Sequence, residues 1–452
     1  MVLGMLALSL LAMPLLAACG QKDAPAPAPT PAPAPKPSPA PAPKPSPAPA
    51  PKPTPAPAAT RTVKVGYIAG FTGPLAEGTK EAFAGAKAVF DWANETNYIP
   101  GLKVEMVSGD DQYQAAKVMQ AYKQIQAEEP IAFLSYPAGN ADVLKEVMRR
   151  NKTPLVNYGG GNFSIDPPGW VFVTVAMYDT QQFAVLKWIN ENWDVAREGR
   201  PARFAHLAWD NSMGTSSIKP GMLYAEQLPL VDYVAAEVAP SGTMDFTPYI
   251  TRLKQKDPDF IYMALVTPPA ISAVKTGIAM GIPKEKFMYF DYVTFMWGAM
   301  LRAVGNEVVE GAFVGTSFYH YTIDTPGMQK FWGIWDKYSG LQRPVGLAAL
   351  VGYNPGLVLL EGMKRAAATT GADKITGEDI YKALQTIKDF NPGTMVPVTF
   401  GPDIRDGARE MLIYKVKDGK IYLVGDVDKP IDGGNPHPSE ILAAAAAAAA
   451  KK

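Results

Sequence analysis

The stretch from Val63 to Glu95 constrains the fold of this chain most strongly, because it joins a strand pattern, a loop of breakers and an amphipathic helix. Its first part, VKVGYI, is a short apolar run that is typical of a strand buried in a parallel sheet. Phe71-Thr72-Gly73-Pro74 then breaks the strand, and apolar residues recur from Ala82 to Ala93 with a helical period. This order predicts a βα unit, in which ligands bind at the loops that follow the strands.

The same alternation continues along the chain. Short apolar strands are predicted at Leu102–Val107, Ile131–Tyr136, Pro154–Tyr158, Val171–Val175, Phe204–Ala208, Val234–Val238, Phe260–Leu265 and Phe287–Phe290, with helices between them. Late in the chain we predict helices at Leu347–Thr369 and Gly377–Phe390, and then a hairpin of Met411–Val416 and Lys420–Val424. Repeated βα units favour parallel sheets with right-handed crossovers. Because the folded part is too long for one ordinary core, the predicted fold class is α/β with two doubly wound, Rossmann-like lobes.

The amino-terminal residues have the pattern of an export signal. Residues 1–18 are almost wholly apolar and end in small residues, which is typical of a signal peptide rather than a membrane span. The sequence Leu16-Ala17-Ala18-Cys19 looks like the lipobox of bacterial lipoproteins, in which the cysteine is acylated. Cys19 is the only cysteine of the 452 residues. We expect lipidation of Cys19, which would anchor the protein without a transmembrane helix; a free thiol is the alternative.

Residues 19–60 are predicted to form a lipid anchor and a linker rich in proline, alanine and lysine. Proline occupies nearly every second position from Ala24 to Ala58, and the unit KPSPAPAP begins at Lys36 and recurs at Lys44. Such a sequence cannot bury a core and favours polyproline II, so about 35 residues could span on the order of 100 Å. We interpret the segment as a stalk; a proline-rich ligand for a recognition domain is the alternative.

Composition and motifs exclude several functions. The formal net charge is +0 and no basic run occurs outside the linker, which argues against a nucleic-acid partner. The three histidines, His206, His320 and His437, are widely spaced and have no cysteine partners. The chain lacks the spacing of a metal site, a Walker loop, a nucleophile elbow or an HExxH motif. We therefore expect no cofactor, no metal and no enzymatic activity.

From Val63 to about Asp426 the chain resembles the branched-chain amino-acid-binding proteins of bacterial ABC importers. The likeness lies in Phe71–Pro74, the acids of Ser108-Gly109-Asp110-Asp111-Gln112, the segment Met177–Gln182, Asp291-Tyr292 and Val309-Glu310-Gly311. The resemblance implies an extracytoplasmic solute receptor with two lobes joined by three crossovers. It assigns 61–178 and 311–392 to lobe 1, 179–310 and 393–430 to lobe 2, and 431–452 to a tail. The implied partners are a small solute, the permease subunits and their cytoplasmic ATPase.

In this family the solute binds in the cleft between the lobes. The resemblance places its carboxylate at loops after two first-lobe strands, here Pro137–Asn140 and Asn157–Asn162. Glycine lets the backbone approach a ligand closely, and the N-terminus of a following helix favours an anion. A merely flexible turn is the alternative for the glycines. The ligand-binding residues predicted from these loops are Ala138, Gly139, Asn140, Gly159, Gly160, Gly161 and Asn162. The serine and threonine donors usual in the family are not evident here.

The family binds the solute's ammonium group with acids in positions that Asp179 and Asp291 match, although either aspartate could instead cap a helix. Met213 stands where the family often carries a tyrosine, which indicates altered specificity. Aromatic residues suit a small apolar side chain. The aromatic residues predicted to bind the solute are Tyr136, Tyr158 and Tyr292. The Asp110-Asp111 pair is interpreted as structural, because the family uses it without chemistry.

The default solute of the family is leucine, isoleucine or valine. The missing hydroxyl donors leave amides, urea-like molecules and carboxylates open as solutes. A sensory module of the same fold is the competing interpretation from another class.

Overall fold

The structure is a computed structural model that describes residues 60–290, 303–426, 429–434 and 436–450. Its first sheet is wholly parallel and has the strand order β2-β1-β3-β4-β5. The strands are β1 Arg61–Ala69, β2 Leu102–Asp110, β3 Ala132–Ser135, β4 Leu155–Asn157 and β5 Val171–Val173. The helices between them are α1 Ala76–Glu95, α2 Ala115–Gln126 and α3 Ala138–Asn151. The strand order reverses at β1 and β3, so the loops after these strands diverge around a crevice.

The second sheet has the order β12-β11-β10-β9-β8-β6-β7, with β13 paired to β11. The strands are β6 Ala202–Trp209, β7 Val231–Ala239, β8 Phe260–Ala264, β9 Phe287–Phe290, β10 Phe313–Thr316, β11 Glu410–Lys417, β12 Lys420–Leu423 and β13 Ile431–Asp432. The helices up to β10 are α4 Tyr178–Asn192, α5 Val195–Glu198, α6 Ser212–Thr215, α7 Ile218–Ala225, α8 Thr247–Gln255, α9 Thr267–Ala279 and α10 Asn306–Val309. Strands β6 to β10 pair in parallel, and β11 is antiparallel to its neighbours. The predicted α/β class is confirmed: the strands β6 to β10 of the second sheet are parallel, and the antiparallel part includes the predicted hairpin.

Three helices return to the first sheet after β10, and a fourth lies near the carboxyl end. They are α11 Pro326–Tyr338, α12 Ala348–Thr370, α13 Gly377–Leu384 and α14 Pro438–Ala449. Helices α11 and α12 pack against α1, whereas α14 packs against α7 of the second lobe. The helix predicted to reach Phe390 ends instead at Leu384, because Phe390 forms an antiparallel bridge with Val398.

The chain passes between the sheets three times, and one side chain joins all three crossovers. The hydroxyl oxygen of Ser317, which follows β10, accepts a hydrogen bond from the backbone N–H of Ala176 at 3.2 Å. It lies 3.0 Å from the carbonyl oxygen of Glu410, to which it donates. Ala176 lies between β5 and α4, and Glu410 begins β11. The crossovers therefore meet at a narrow junction, which is the geometry of a hinge.

The structure differs from the predicted lobe boundaries near the second and third crossovers. The range 311–392 was predicted to lie in the first lobe, but its first part forms strand β10, which pairs with β9 and β11 in the second sheet. Asp406, predicted to lie in the second lobe, bridges Val173 at the edge of the first sheet. The pattern of short apolar segments does not indicate which sheet a strand joins, because pairing partners are distant in sequence.

Helices α1 and α12 approach each other closely through two glycines. A Cβ atom added at Gly352 would lie 1.6 Å from the carbonyl oxygen of Ala82. One added at Gly85 would lie 2.2 Å from the carbonyl oxygen of Ala349. Such contacts are too short for any side chain, so the first-lobe helices pack backbone to backbone here.

The substitution Gly352→Ala should destabilise the protein by about 1–3 kcal/mol, because the added methyl group forces the two helices apart. The control is Gly333→Ala on α11, where no atom lies within 4 Å of the added Cβ atom. That change should stabilise by up to about 1 kcal/mol, because alanine is the better helix former. Urea unfolding of both variants measures the difference, and equal midpoints would contradict the close packing.

Candidate functional site

A cavity of about 740 Å³ lies between loops of the two sheets. The first lobe lines it with loops after β2 and β3, and the second lobe with loops after β6 and β7. These are the carboxyl ends of parallel strands, where open α/β sheets place their ligands. We call this cavity the cleft.

The first-lobe wall is held in place by Asp111, which ends the segment of paired acids. Its carboxylate accepts hydrogen bonds from the backbone N–H of Tyr113 at 2.7 Å and from the amide of Asn140 at 2.5 Å. Gln112 and Tyr113 both have positive φ, so the chain turns sharply after β2. The contacts join the β2 loop to the β3 loop, in agreement with the structural role predicted for this acid pair.

Helix α3 begins at the cleft. Its first residues, Ala138 and Gly139, line the cavity together with Pro137. A Cβ atom at Gly139 would have nothing within 4 Å, so the backbone is open to the cavity. The first backbone N–H groups of a helix have no partner within it and carry partial positive charge. The start of α3 can therefore bind a carbonyl or carboxylate oxygen.

The second-lobe wall is built on the turn after β6. The indole N–H of Trp209 donates to the carbonyl oxygen of Thr243 at 3.1 Å, which orients the buried ring. Asn211 caps the following turn by accepting from the backbone N–H of Gly214 at 2.9 Å. Met213, predicted to bind the solute, lies in this turn and lines the cleft.

The glycine-rich loop that follows β4 lies beside the cleft lining rather than in it. A Cβ atom added at Gly161 would lie 2.6 Å from the Cβ atom of Ser216, so this loop contacts the second lobe directly. The carbonyl oxygen of Gly160 accepts from the backbone N–H of Tyr178 at 3.0 Å, and Gly159 lies near the same tyrosine ring. The loop therefore packs the lobes together where α4 begins.

Two predicted tyrosines are core residues. The rings of Tyr136 and Tyr158 are fully buried and meet edge to face with centroids 6.0 Å apart. Tyr158 also stacks on Phe318 in the second crossover, at 6.1 Å. Aromatic residues at strand ends suit either a ligand or a core, so the predicted contact of these two rings with a solute stays a prediction.

Asp179 and Asn162 bond to each other. The amide of Asn162 donates to the Asp179 carboxylate, which also accepts from the backbone N–H of Thr180 at 3.0 Å. Asp179 is 1% exposed, lies in the first turn of α4 and is not among the residues that line the cleft. Burial raises the pKa of Asp179 to about 7, although the Thr180 N–H and the charge of His437 oppose this shift. Its ammonium-binding role stays a prediction.

Three predicted residues, Asp291, Tyr292 and Cys19, lie outside the described residues. The cleft also contains residues that the sequence reasoning missed, namely Pro74, Gln112, Tyr113, Gln114, Ala115, Asp142, Val143, Ser241 and Gly242. The acid pair at the end of β2 could have pointed to the residues from Gln112 to Ala115, because the loop after a parallel strand lies at the edge of the sheet where ligands bind.

The sequence model of a family described as "Periplasmic binding protein" matches residues 62–420 of this chain. The chain belongs to this family. Its members are solute-binding proteins of transporters rather than enzymes, and the family implies an extracytoplasmic location. No helix in the described part of this periplasmic binding protein is long and apolar enough to cross a membrane.

A curated relative is the Leu/Ile/Val-binding protein homolog 7 of Brucella abortus. It is 23% identical over 378 residues, which cover 81% of this chain and 92% of the relative. The resemblance to branched-chain amino-acid-binding proteins is thereby confirmed.

Two solved structures illustrate the shared fold. One is a branched-chain amino-acid ABC transporter protein from Thermus thermophilus with bound valine, with a TM-score of 0.73 and 23% identity. It covers 84% of this chain and 99% of its own. The other is a fatty acid ABC transporter substrate-binding protein from Thermomonospora curvata, with a TM-score of 0.71 and 17% identity over 81% of this chain and 92% of its own. The two-lobed type I periplasmic binding fold is thus confirmed.

The variant Asp179→Asn should reduce the pH dependence of stability. Because the folded-state pKa of Asp179 is raised to about 7 from 3.8, the folded protein binds this proton more tightly than the unfolded chain does. The stabilisation is present below about pH 4 and is lost as the pH rises to about 7. The native chain should therefore lose more stability than the variant over this range, as measured by unfolding at several pH values.

The matched control for this experiment is Asp403→Asn, which alters an exposed carboxylate in the segment that precedes the third crossover. It should follow the native pH profile. If Asp179→Asn also follows that profile, the carboxylate is not held in a buried, protonated state.

Proposed function

We propose that this protein is the solute receptor of an ABC importer and captures a small solute in the cleft by closing its two lobes. The observation that carries the proposal is that loops of both lobes line a single cavity of about 740 Å³. A ligand shifts a conformational equilibrium only when it contacts the favoured state better. A solute that touches Gly139 on one side and Trp209 on the other does so in the closed form.

An amino acid is the solute that the relatives support. The Brucella abortus relative is named for leucine, isoleucine and valine, and the Thermus thermophilus structure contains valine. The N-terminus of α3 would receive the solute's acceptor oxygen at Ala138 and Gly139. The structure from Thermomonospora curvata has the same fold but is named for fatty acids, so the fold alone does not identify the solute.

We further propose that Cys19 carries the lipid anchor and that the proline-rich linker holds the receptor off the membrane. The permease subunits and their cytoplasmic ATPase would then be the partners of the closed, loaded form. No catalytic step is assigned to the cleft, which binds and releases its solute unchanged.

Thermal unfolding of the full-length protein with a panel of amino acids, amides and carboxylates tests the receptor function. A solute at about one hundred times its Kd should stabilise the protein by roughly 2.7 kcal/mol. Small-angle scattering with the same solute should show a more compact molecule. A panel that produces neither change would contradict the proposal.

The variant Gly139→Leu should weaken solute binding by about tenfold or more while leaving the fold intact. The new side chain enters the open space above Gly139 and occupies part of the cleft. A tenfold loss corresponds to about 1.4 kcal/mol. Isothermal titration calorimetry measures the change. The matched control is Gly333→Leu, which also meets no atom within 4 Å but lies on α11.

The variant Cys19→Ala should move the protein from the membrane fraction to the soluble fraction of the producing bacterium, because acyl chains supply its membrane affinity. Fractionation followed by immunoblotting measures the distribution. A variant that stays in the membrane fraction would contradict lipid anchoring at this residue.

A further inference from the structure

We infer that the carboxyl-terminal segment is a strap that ties the second lobe to the edge of the first sheet and favours the arrangement in which the two lobes are packed together. The strap consists of residues 431–434 and 436–449. The packed arrangement is the one in which Gly161 contacts Ser216 across the lobes. The inference goes beyond the proposed function, because it concerns the lobes without a solute, and it rests only on their proposed rotation about the junction at Ser317.

The strap begins as a fixed part of the second lobe. Its strand β13 pairs with the start of β11, where Asp432 lies opposite Glu410. The backbone N–H of Gly433 then donates to the carbonyl oxygen of Arg409 at 2.9 Å. A Cβ atom added at Gly433 would lie 2.0 Å from the carbonyl oxygen of Thr180, so the strap lies directly on the first turn of α4.

The strap also ends on the second lobe. Its helix α14 packs against α7. Ile441 is buried in the same hydrophobic cluster as Phe183 of α4 and Tyr224 of α7. Both ends of the strap therefore move with the second lobe.

Between these two ends, the side chain of His437 reaches a carboxylate outside the strap. Its Nε2 atom lies 3.2 Å from a carboxylate oxygen of Asp406. Its Nδ1 atom accepts from the backbone N–H of Ser439 and so caps α14. Because Nδ1 accepts, the ring proton lies on Nε2, which donates to Asp406.

Asp406 belongs to the edge of the first sheet. It forms a parallel bridge with Val173 of β5, and the backbone N–H of Gly407 donates to the carbonyl oxygen of Val173 at 2.7 Å. Burial by itself would raise the pKa of Asp406, but hydrogen bonds from His437 and Arg409 hold it below its ordinary value. The carboxylate is therefore charged and buried, which makes its donors valuable.

The two donors of this carboxylate respond differently to rotation of the lobes. Arg409 lies three residues after Asp406 and contacts it at 2.7 and 3.0 Å, so this ion pair is local in the chain. His437 is instead carried by the second lobe. Rotation of the lobes would lengthen its bond, and hydrogen bonds weaken steeply beyond their usual range. An interaction made in only one arrangement shifts the equilibrium towards that arrangement.

Pulsed electron–electron double resonance tests the inference by measuring the distance between spin labels on the two lobes, with no solute added. The full chain carries Cys19→Ala, which removes its only cysteine. The labels are attached at Gln124→Cys on α2 and at Lys275→Cys on α9, two exposed positions in different lobes. The distance distribution gives the ratio of separated to packed molecules.

The variant His437→Asn removes the contact with Asp406 and keeps the helix cap, because asparagine is a good N-cap but is too short to replace Nε2. We expect the ratio of separated to packed molecules to rise about tenfold, as for loss of a hydrogen bond to a charged group. The control is Glu440→Gln, an exposed change in the first turn of α14, which should give the native distribution.

Two further variants connect the effect to the strap as a unit. Gly433→Ala should displace the strap from α4 and raise the separated fraction in the same direction, because its methyl group meets the carbonyl oxygen of Thr180. The double variant of His437→Asn and Asp406→Asn should separate the lobes no further than Asp406→Asn alone, since both changes remove one bond. Unfolding midpoints show that each variant is folded.

A distance distribution of His437→Asn that equals the native one overturns the inference. An equal separation in Glu440→Gln, or additive effects of His437→Asn and Asp406→Asn, overturns the assignment to their bond. Because no solute is added, these results do not depend on the receptor function, and that function can stand if the strap inference fails.

Discussion

The hydroxyl group of Ser317 is the interaction on which the relation of the two lobes depends. It accepts from Ala176 and donates to Glu410, so that the three crossovers meet at one buried point. Buried polar groups are costly to leave without partners, which favours keeping this junction closed whatever the lobes do. In the proposed closure, the lobes would therefore rotate about this junction and would open and close the cleft, which is built from loops of both lobes.

The lining of the cleft combines a helix start with acidic and aromatic side chains. The start of α3 favours an acceptor oxygen, and the carboxylate of Asp142 accepts a hydrogen bond from Ser164 at 2.7 Å. Trp209 and Tyr113 add apolar surface. The glycine-rich loop also packs the lobes together beside the hinge, and Asn162 bonds to Asp179 there. Their predicted contacts with the solute stay predictions.

Local patterns predicted much of the fold. The strands β1 to β9 and the helix α12 occur close to their predicted positions, because apolar periodicity reports directly on burial. The prediction omitted β10 and α11, and it extended α13 beyond Leu384, since the segment to Phe390 pairs with Val398. At the site, the loop Pro137–Asn140 and Met213 line the cleft, and their contact with a solute stays a prediction. Asp179 lies outside the lining, where it bonds to Asn162 and Thr180, and its role also stays a prediction.

The sequence by itself determined the α/β class and the family of the folded body, and it predicts an amino-terminal signal and a proline-rich linker before that body. These properties follow from local periodicity, backbone stiffness and motif order, which need no knowledge of distant contacts. Only the tertiary structure decided which loops share the cleft and which polar groups are already paired. That outcome depends on sheet pairing and on crossovers such as the one at Ser317, which bring together residues far apart in sequence.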